Sequence, residues 1–484
     1  MNDWAISGVD LHLDLTAGTG ARAGLERALR EAVRDGRLAA GTRLPSSRAL
    51  AKDLGLARNT VADAYGQLVA EGWLAARQGS GTQVAGSAPP PRPARRRAVP
   101  EQAGLLLLGN PAADGYPYDL RPGSSDLSAF PRGAWLAAAR RAMAAAPNEA
   151  FGYSDPRGRP ELRAALAEYL ARVRGVRADP ELILVCTGFV QGIGLLARAL
   201  RDRGARRIGV EELGFPDTRR ILRTAGLSTV ELPVDSGGAR LDGLGPHDRP
   251  AADAVLLTPA HQFPAGASLS PERRTAVVEW ARATGGTVIE DDYDGEFRYD
   301  RQPVGALQGL APGQVVYAGT ASKSLAPGIR LAWLVLPPTL LDAVVAEKRS
   351  ADRHSPVMDQ LTLAELIRSG GYDRHVRRMR LHYRGRRDRL VAALAAHAPR
   401  VRVSGIAAGL HAVLELPPGS TAMSDLVARA GRAGLALAGL DAYNGPADGP
   451  GALVVGFGTP PEHAFNGALD ALCALLAGAT GDGR

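Results

Sequence analysis

From Leu105 onward the sequence alternates short apolar runs with longer segments rich in alanine, leucine and arginine, and this alternation restricts the fold more than any other feature. Such an alternation is typical of an α/β structure with a mostly parallel sheet. The predicted strands are residues 183–186, 207–210, 254–257, 287–289 and 315–317. Ligands bind beyond the carboxyl ends of such strands, so the residues after each run are candidate site residues.

A proline- and arginine-rich segment divides the chain of 484 residues. This length allows one large domain and a small accessory domain. Residues 89–91 are three prolines and residues 95–97 are three arginines, a composition that predicts a semi-extended tether. The predicted division is an N-terminal domain over residues 11–84, a linker over 85–104 and a large domain over 105–484.

The overall composition is that of a globular protein, with 45% apolar and 22% charged residues. A net charge of +8 favours an acidic partner such as nucleic acid. An arginine-rich composition can also produce a positive net charge in a protein that has no acidic partner. Cys186 and Cys473 lie in apolar runs and are expected to be buried thiols. No apolar run is long enough to span a bilayer, so we expect a soluble cytoplasmic protein without a membrane partner.

Three helices and a β-hairpin are predicted between residues 22 and 84. Apolar residues have helical spacing over 22–35, Ser46 is placed to cap a second helix, and a third begins shortly after Gly55. Two short helices joined by a glycine-containing turn form a helix-turn-helix, whose second helix would present Arg58, Asn59 and Thr60 to DNA. A small three-helix packing module fits the same pattern.

Residues 41–65, followed by Gly-Ser-Gly-Thr-Gln-Val at 79–84, resemble the winged helix-turn-helix of the GntR superfamily. The resemblance implies a recognition helix that starts near Arg58 and a wing tip near the minor groove of DNA. The DNA-binding residues that it implies are Arg43, Ser46, Arg48, Arg58, Asn59, Thr60, Gly79, Ser80 and Gly81.

Lys323 is one of only three lysines in a chain with 55 arginines. Arginine cannot lose its proton at any relevant pH, whereas a lysine amine can do so and attack a carbonyl. Small residues precede Lys323, and a Pro-Gly pair and Arg330 follow it, which suits a loop that faces a ligand. A surface lysine left by chance is the alternative.

The residues after the predicted strands supply the parts of a pyridoxal phosphate (PLP) site in chain order. A glycine turn at Gly188 leads into a helix and could offer N–H groups to a phosphate. The segment 290–294 carries four carboxylates, which would ordinarily indicate a solvated loop or a metal site, but an aspartate can also hold a pyridine nitrogen. With Lys323 and Arg330, the ordered set predicts PLP and no metal ion.

Segments 119–123, 151–163, 258–266 and 290–299 resemble signatures of the fold-type I aminotransferases. With its N-terminal domain, nearly the whole chain resembles the MocR-type regulators, in which a GntR-like winged helix is fused to an aminotransferase-like domain. The resemblance implies that Lys323 forms a Schiff base with PLP, Asp291 pairs with its pyridine nitrogen and Tyr293 bonds its phenolic oxygen. The other implied cofactor residues are Phe189, Val190, Gln191, Thr320, Ser322 and Arg330 at the phosphate, Phe215 on the ring, and His261, which has no assigned role.

Two departures from this family affect the binding of a substrate carboxylate. Where an amino-acid-sensing relative has Gly-Tyr-x-Arg, this chain has Gly-Phe-Pro-Asp at 214–217. No arginine occurs from Ala433 to Gly483, where transaminases use one to hold that carboxylate. Arg353, Arg374 and Arg377 are possible substitutes but are expected on solvated helix faces.

The resulting hypothesis is a PLP-dependent transcriptional regulator that binds promoter DNA and senses either PLP or an amino compound. Control of vitamin B6 synthesis is one possibility, and PLP itself as the signal is slightly favoured. A working aminotransferase with an accessory helical domain is the alternative, and a PLP-free dimerisation scaffold is a third. The resemblance also implies a homodimer, and in this family the winged helices can be exchanged between partners.

Overall fold

The computed structural model describes residues 20–77, 81–86, 115–245, 251–299, 304–445 and 451–479. The chain divides into two compact units, residues Met1–Glu101 and Gln102–Arg484. None of the described helices is long and apolar enough to cross a membrane.

The first unit contains three helices and one hairpin. Helices α1 (Ala21–Arg34), α2 (Ser47–Leu54) and α3 (Arg58–Ala70) precede strands β1 (Leu74–Arg77) and β2 (Gly81–Val84), which pair in antiparallel fashion. Gly55 ends α2 in the left-handed conformation, with φ of 69°. The predicted helices and hairpin are confirmed; Gly79 and Ser80 lie outside the described residues.

This unit has its own small core. Leu25 and Leu29 of α1 pack with Val61 and Leu68 of α3, which explains the helical spacing of apolar residues in both segments. Arg30 joins α1 to the end of α3 through a two-bond contact with Glu71, with both nitrogen–oxygen distances at 2.8 Å.

The second unit contains fifteen short strands among its described residues. In chain order they are β3 (Tyr118–Asp119), β4 (Ile183–Cys186), β5 (Arg207–Glu211), β6 (Ser228–Leu232), β7 (Val234–Asp235), β8 (Gly238–Ala239), β9 (Ala254–Leu257), β10 (Thr287–Asp292), β11 (Val315–Thr320), β12 (Ala332–Val335), β13 (Arg402–Ser404), β14 (Ala412–Glu415), β15 (Leu435–Ala436), β16 (Ala438–Gly439) and β17 (Ala452–Val455).

Seven of these strands form the central sheet, in the order β4-β12-β11-β10-β9-β5-β6. Only β12 runs antiparallel to its neighbours, so the sheet is mostly parallel, as predicted. All residues of β4, β9, β11 and β12 are buried, as expected for strands that are covered on both faces. The five predicted strands are all present, and three of them extend one to three residues further.

Helices cover this sheet and build the C-terminal part of the unit. They are α4 (Arg132–Ala145), α5 (Pro160–Arg174), α6 (Phe189–Asp202), α7 (Pro216–Thr224), α8 (Pro271–Thr284), α9 (Pro338–Ala351), α10 (Val357–Arg368), α11 (Gly371–His397), α12 (Met423–Arg432) and α13 (Glu462–Ala479). Four of them begin with proline, whose fixed φ suits the first helical position.

A second, antiparallel sheet has the order β13-β14-β17-β16 and packs with α11, α12 and α13 around a separate apolar core. Strand β3 pairs in parallel with β15, so the segment at residues 118–119 is attached to this C-terminal subdomain. Cys186 and Cys473 are buried free thiols, as expected.

Candidate functional site

A cavity of about 230 Å³ opens at the carboxyl ends of the parallel strands β5, β9, β10 and β11. This is the position where a sheet of this kind binds its ligands. The structure brings most of the predicted cofactor residues to its wall, namely Phe189, Val190, Phe215, Asp291, Tyr293, Thr320, Ser322, Lys323 and Arg330. Gln191 and His261 lie outside this lining, and His261 directly contacts one of its residues, Tyr293, at 3.1 Å.

Lys323 projects into this cavity from the loop after β11. Its Nζ donates a hydrogen bond to the carbonyl oxygen of Gly123, a contact that the sequence did not suggest because 200 residues separate the two. Burial lowers the pKa of Lys323, and the carboxylates of Asp294 and Asp291 oppose that change. A lowered pKa favours the neutral amine, which is the nucleophilic form.

The predicted phosphate-binding turn is built around Gly188, which precedes α6 with φ of 88°. A Cβ atom at this position would lie 2.6 Å from the guanidinium carbon of Arg330, so a larger residue would displace that side chain, and the positive φ also favours glycine. Arg330 donates a hydrogen bond of 2.9 Å to the carbonyl oxygen of Thr187. The first N–H groups of α6 point towards the same turn and are suited to an anion.

Thr320 and Ser322 line the same cavity at the end of β11. The hydroxyl of Thr320 donates to Oγ of Ser322 at 2.9 Å and accepts from the Ser322 N–H at 3.1 Å. The two hydroxyls thus lie side by side on the cavity wall, where β11 ends and just before Lys323 in the chain.

The four carboxylates of segment 290–294 have separate surroundings. Glu290 accepts N–H bonds from Leu307 and Gln308 at 2.8 and 2.9 Å, and Asp292 pairs with Arg174 at 2.6 Å. Asp291 alone faces the cavity. Its pKa is raised well above the usual value, first by burial and then by Asp292, Glu211 and Asp294, while Lys323 opposes the shift. A cationic ligand atom beside Asp291 would relieve this cost.

His261 belongs to a buried group behind the cavity. Its Nδ1 lies 2.9 Å from Oδ2 of Asp294 and 3.1 Å from the hydroxyl of Tyr293. The ring of His411 lies 4.9 Å from the ring of His261, and burial and His261 hold the pKa of His411 well below the usual value. Because Nδ1 can donate its proton to Asp294, the Tyr293 hydroxyl is able to donate elsewhere. Asp294 and His411 were not singled out from the sequence.

Phe215 stacks on another aromatic ring at the far side of the cavity. Its ring is parallel to that of Phe263, with a centroid distance of 4.3 Å and an angle of 5°. The edge of Tyr443 meets both rings. Phe263 follows the His-Gln pair after β9. Its aromatic side chain was the only feature of the sequence that could have marked it as a site residue, and the sequence does not show that it contacts Phe215.

Apolar side chains occupy the region where a carboxylate-binding arginine was sought. Phe263, Ala438, Tyr443 and Val454 form a buried cluster against which Tyr293 packs. Among the cavity residues, Arg219 donates to the carbonyl oxygens of Glu211 and Glu212 at 2.8 and 2.6 Å, and also lies 3.1 Å from Glu231. The three candidate substitutes are all exposed. Arg374 and Arg377 lie on α11, as expected, whereas Arg353 follows the end of α9 and is not on a helix.

Glu211 is a further acidic residue of the cavity wall that sequence reasoning missed. The hydroxyl of Thr258 donates to its Oε2 at 2.6 Å, and the Gln262 amide donates to the same oxygen at 3.2 Å. Burial nevertheless raises the pKa of Glu211 to about 7. Asp217, at the start of α7, adds another carboxylate to the wall.

The predicted DNA-binding residues lie on and around α2 and α3. Arg43, Arg48, Arg58, Asn59 and Gly81 are exposed, and Thr60 is partly buried beside the start of α1. Oγ of Ser46 accepts the N–H of Ala49 at 3.2 Å and therefore caps α2. The DNA contacts of all these residues stay a prediction.

Two family models match the chain. Residues 123–429 match the class I and II aminotransferases, and residues 22–84 match the bacterial regulatory proteins of the gntR family.

Two regulators of the same organisation are similar over most of their length. The HTH-type pyridoxine biosynthesis transcriptional regulator PdxR of Corynebacterium glutamicum is 34% identical over 92% of this chain and 93% of its own. The probable rhizopine catabolism regulatory protein MocR of Rhizobium meliloti is 35% identical over 80% of each chain.

Solved aminotransferases share the fold of the large unit. The α-aminoadipate aminotransferase LysN of Thermus thermophilus superimposes with a TM-score of 0.67 at 26% identity, over 78% of this chain and 96% of its own. An archaeal alanine:glyoxylate aminotransferase gives the same TM-score and identity over 75% of this chain and 91% of its own. The predicted fold class, a winged helix-turn-helix with a fold-type I aminotransferase-like domain, is therefore confirmed.

Proposed function

Because this chain belongs to the MocR-type transcriptional regulators, with a GntR-type helix-turn-helix and an aminotransferase domain, we propose that it binds promoter DNA under the control of PLP held at Lys323. The observation that carries this proposal is the cavity in which Lys323, Asp291, Thr320, Ser322 and Arg330 meet at the carboxyl ends of the strands.

The residues of this cavity fit PLP group by group. The cofactor supplies an aldehyde that a neutral lysine amine can attack. Asp291 would hold the protonated pyridine nitrogen, which explains a carboxylate placed where burial opposes its charge. Arg330, the hydroxyls of Thr320 and Ser322, and the first N–H groups of α6 would bind the phosphate. Tyr293 would donate to the phenolic oxygen.

The same cavity favours sensing over the turnover of amino acids. An α-carboxylate needs a cationic partner, but Arg219 already bonds two backbone carbonyls and Arg330 is assigned to the phosphate. Asp217 adds a carboxylate to the wall, and a buried apolar cluster of Phe263, Ala438, Tyr443 and Val454 packs against Tyr293. PLP itself is therefore the proposed signal. A role in vitamin B6 synthesis agrees with the name of the PdxR relative.

The proposal is tested first by absorption spectroscopy of the purified chain with PLP. The wild-type protein is expected to show a Schiff-base band that Lys323→Ala abolishes. Lys52→Ala is the matched control, because Lys52 is an exposed lysine of α2, outside the cavity. An unchanged band in Lys323→Ala would refute the cofactor assignment.

A second test separates sensing from catalysis. The PLP-loaded protein is mixed with common amino donors and keto acids, and product formation is followed over many turnovers. We expect no sustained transamination, although a single half-reaction is compatible with the cavity. Turnover at the rate of ordinary transaminases would establish the alternative, an active aminotransferase with an accessory helical domain.

We also propose that the protein is a homodimer. Leu136 and Met143 lie seven residues apart on α4 and are exposed, as are Phe151 and Tyr153 further along the chain. Clusters of exposed apolar side chains of this kind are typical of protein interfaces. Light scattering of the purified chain is expected to give twice the mass of 50.6 kDa, and a monomer at micromolar concentration would contradict the proposal.

A further inference from the structure

Lys348 is the second unusual lysine of this arginine-rich chain. It lies in α9 and is 0% exposed. Its Nζ donates to Oδ2 of Asp352 at 2.7 Å, to Oγ of Ser355 at 2.8 Å and to Oε1 of Gln191 at 3.1 Å. Three acceptors around one nitrogen suit the compact ammonium group, and a planar guanidinium could not replace it in the same space.

Gln191 connects this lysine to the phosphate-binding turn. Its Oε1 also accepts the N–H of Thr187 at 2.7 Å, and its Nε2 donates to Asp352 at 2.6 Å. The carbonyl oxygen of Thr187 accepts the bond from Arg330 at 2.9 Å. The backbone of Thr187 is thus held on both sides, immediately before Gly188 and the first N–H groups of α6.

We propose that Lys348 is a positioning residue for the phosphate site, which it orders through Gln191 and Thr187. Its ammonium fixes the Gln191 amide in the orientation that accepts the Thr187 N–H. It also balances the charge of Asp352, which would otherwise repel a phosphate dianion. This role rests on the proposed function, since it assumes that the phosphate of PLP occupies the turn.

The first test compares two ligands in Lys348→Met. PLP carries the phosphate and pyridoxal does not, while both react with Lys323. We expect PLP to bind at least tenfold more weakly than to the wild type, and pyridoxal to bind within about twofold of the wild type. Arg349→Met is the matched control, because Arg349 is the exposed neighbour on the same helix, and it should change neither affinity. Binding is measured from the absorption band.

Two outcomes would overturn this inference. One is an unchanged PLP affinity in Lys348→Met, and the other is an equal loss of PLP and pyridoxal binding, as a general structural defect would give. Absence of the band in the wild-type protein would instead refute the proposed function, so the two failures are distinguishable.

Gln191→Met supplies a second variant if Lys348→Met does not fold. It removes the acceptor of the Thr187 N–H, keeps the side-chain length and leaves Lys348 paired with Asp352 and Ser355. The same phosphate-dependent loss of affinity is expected. A normal PLP affinity in Gln191→Met would show that the Lys348 network does not act on the turn.

Discussion

Glu211 is a buried residue whose ionisation should affect the stability of the protein near neutral pH. Burial raises its pKa to about 7, even though the Thr258 hydroxyl and the Gln262 amide both donate to the carboxylate. The folded state therefore binds more protons than the unfolded state between about pH 4.5 and pH 7. In this window the contribution of Glu211 to the free energy of unfolding falls as the pH rises.

Glu211→Gln removes this titration and keeps an acceptor for Thr258. The free energy of unfolding of the variant, minus that of the wild type, should therefore increase by about 1–3 kcal/mol from pH 4.5 to pH 7. Urea unfolding at several pH values measures this difference. Burial also raises the pKa values of Glu290 and Glu296 to about 7. Both residues are present in the variant and in the wild type, so their contributions to the difference in unfolding free energy cancel. Glu168→Gln, at an exposed position of α5, is the control, and its free energy of unfolding should follow that of the wild type at every pH. The prediction would be contradicted if Glu211→Gln also differed from the wild type by the same amount at every pH.

At the residue scale, the sequence identified side chains with distinctive chemistry but not their distant partners. Lys323 was recognisable because the chain otherwise uses arginine, and Asp291 because it follows a strand. Gly123, which accepts the Lys323 hydrogen bond, is 200 residues away, and nothing in its own sequence context indicates that contact. Lys348 was visible as a rare lysine, yet its role depends on burial, which helical spacing alone did not reveal.

The turn between β4 and α6 is the element on which phosphate binding depends. We expect Gly188→Ala to weaken PLP binding at least tenfold, because the added methyl group would displace Arg330. Gly175→Ala is the control, since Gly175 also has a positive φ, of 67°, but a Cβ atom there would meet nothing within 4 Å. Gly175→Ala should lose about 1–2 kcal/mol of stability from its left-handed conformation. Gly188→Ala should lose about 1–3 kcal/mol, because its ψ of 162° lies in a region that is essentially restricted to glycine. Equal PLP affinities in the two variants would show that Arg330 does not need this position.

The N-terminal end of α3 is the element that should enter the major groove of DNA. Arg58→Ala is expected to weaken operator binding and to lower the salt dependence of affinity by about one counterion if Arg58 contacts a phosphate. If Arg58→Ala instead loses about 1–3 kcal/mol of binding free energy and the salt dependence of affinity does not change, Arg58 contacts a base. Arg30→Ala is the control, because Arg30 pairs with Glu71 beyond the other end of α3. Gel-shift titrations at several salt concentrations that show no effect of Arg58→Ala would contradict the assignment.

At the scale of elements, most helices and strands near the site could be predicted, because apolar periodicity and capping residues are local signals. Ser46 caps α2 and Gly55 ends it, as the sequence indicated. The strand order could not be predicted, since it depends on pairing between distant segments. The antiparallel strand β12 was also missed, because it follows Lys323 within the same stretch and lacks a helix before it.

The whole molecule consists of two compact units, one with the helix-turn-helix and one with the cavity. PLP in the cavity can alter DNA binding only if its binding free energy differs between the DNA-bound and the free protein. The same coupling must then act in the opposite direction, so operator DNA must change PLP affinity by the same factor. A factor that differs from one distinguishes a PLP sensor from a protein that merely carries PLP.

We therefore expect saturating PLP to change the affinity of the full chain for its operator by roughly 5- to 150-fold, the usual range of such coupling. The operator is first mapped by footprinting with and without PLP. Calorimetric titration should then show the same factor in PLP affinity when the operator is added. Lys323→Ala should retain the operator affinity of the PLP-free protein but not respond to PLP. A PLP response that persists in Lys323→Ala, or an operator affinity that saturating PLP leaves unchanged in the wild-type protein, would show that the cavity is not the sensor.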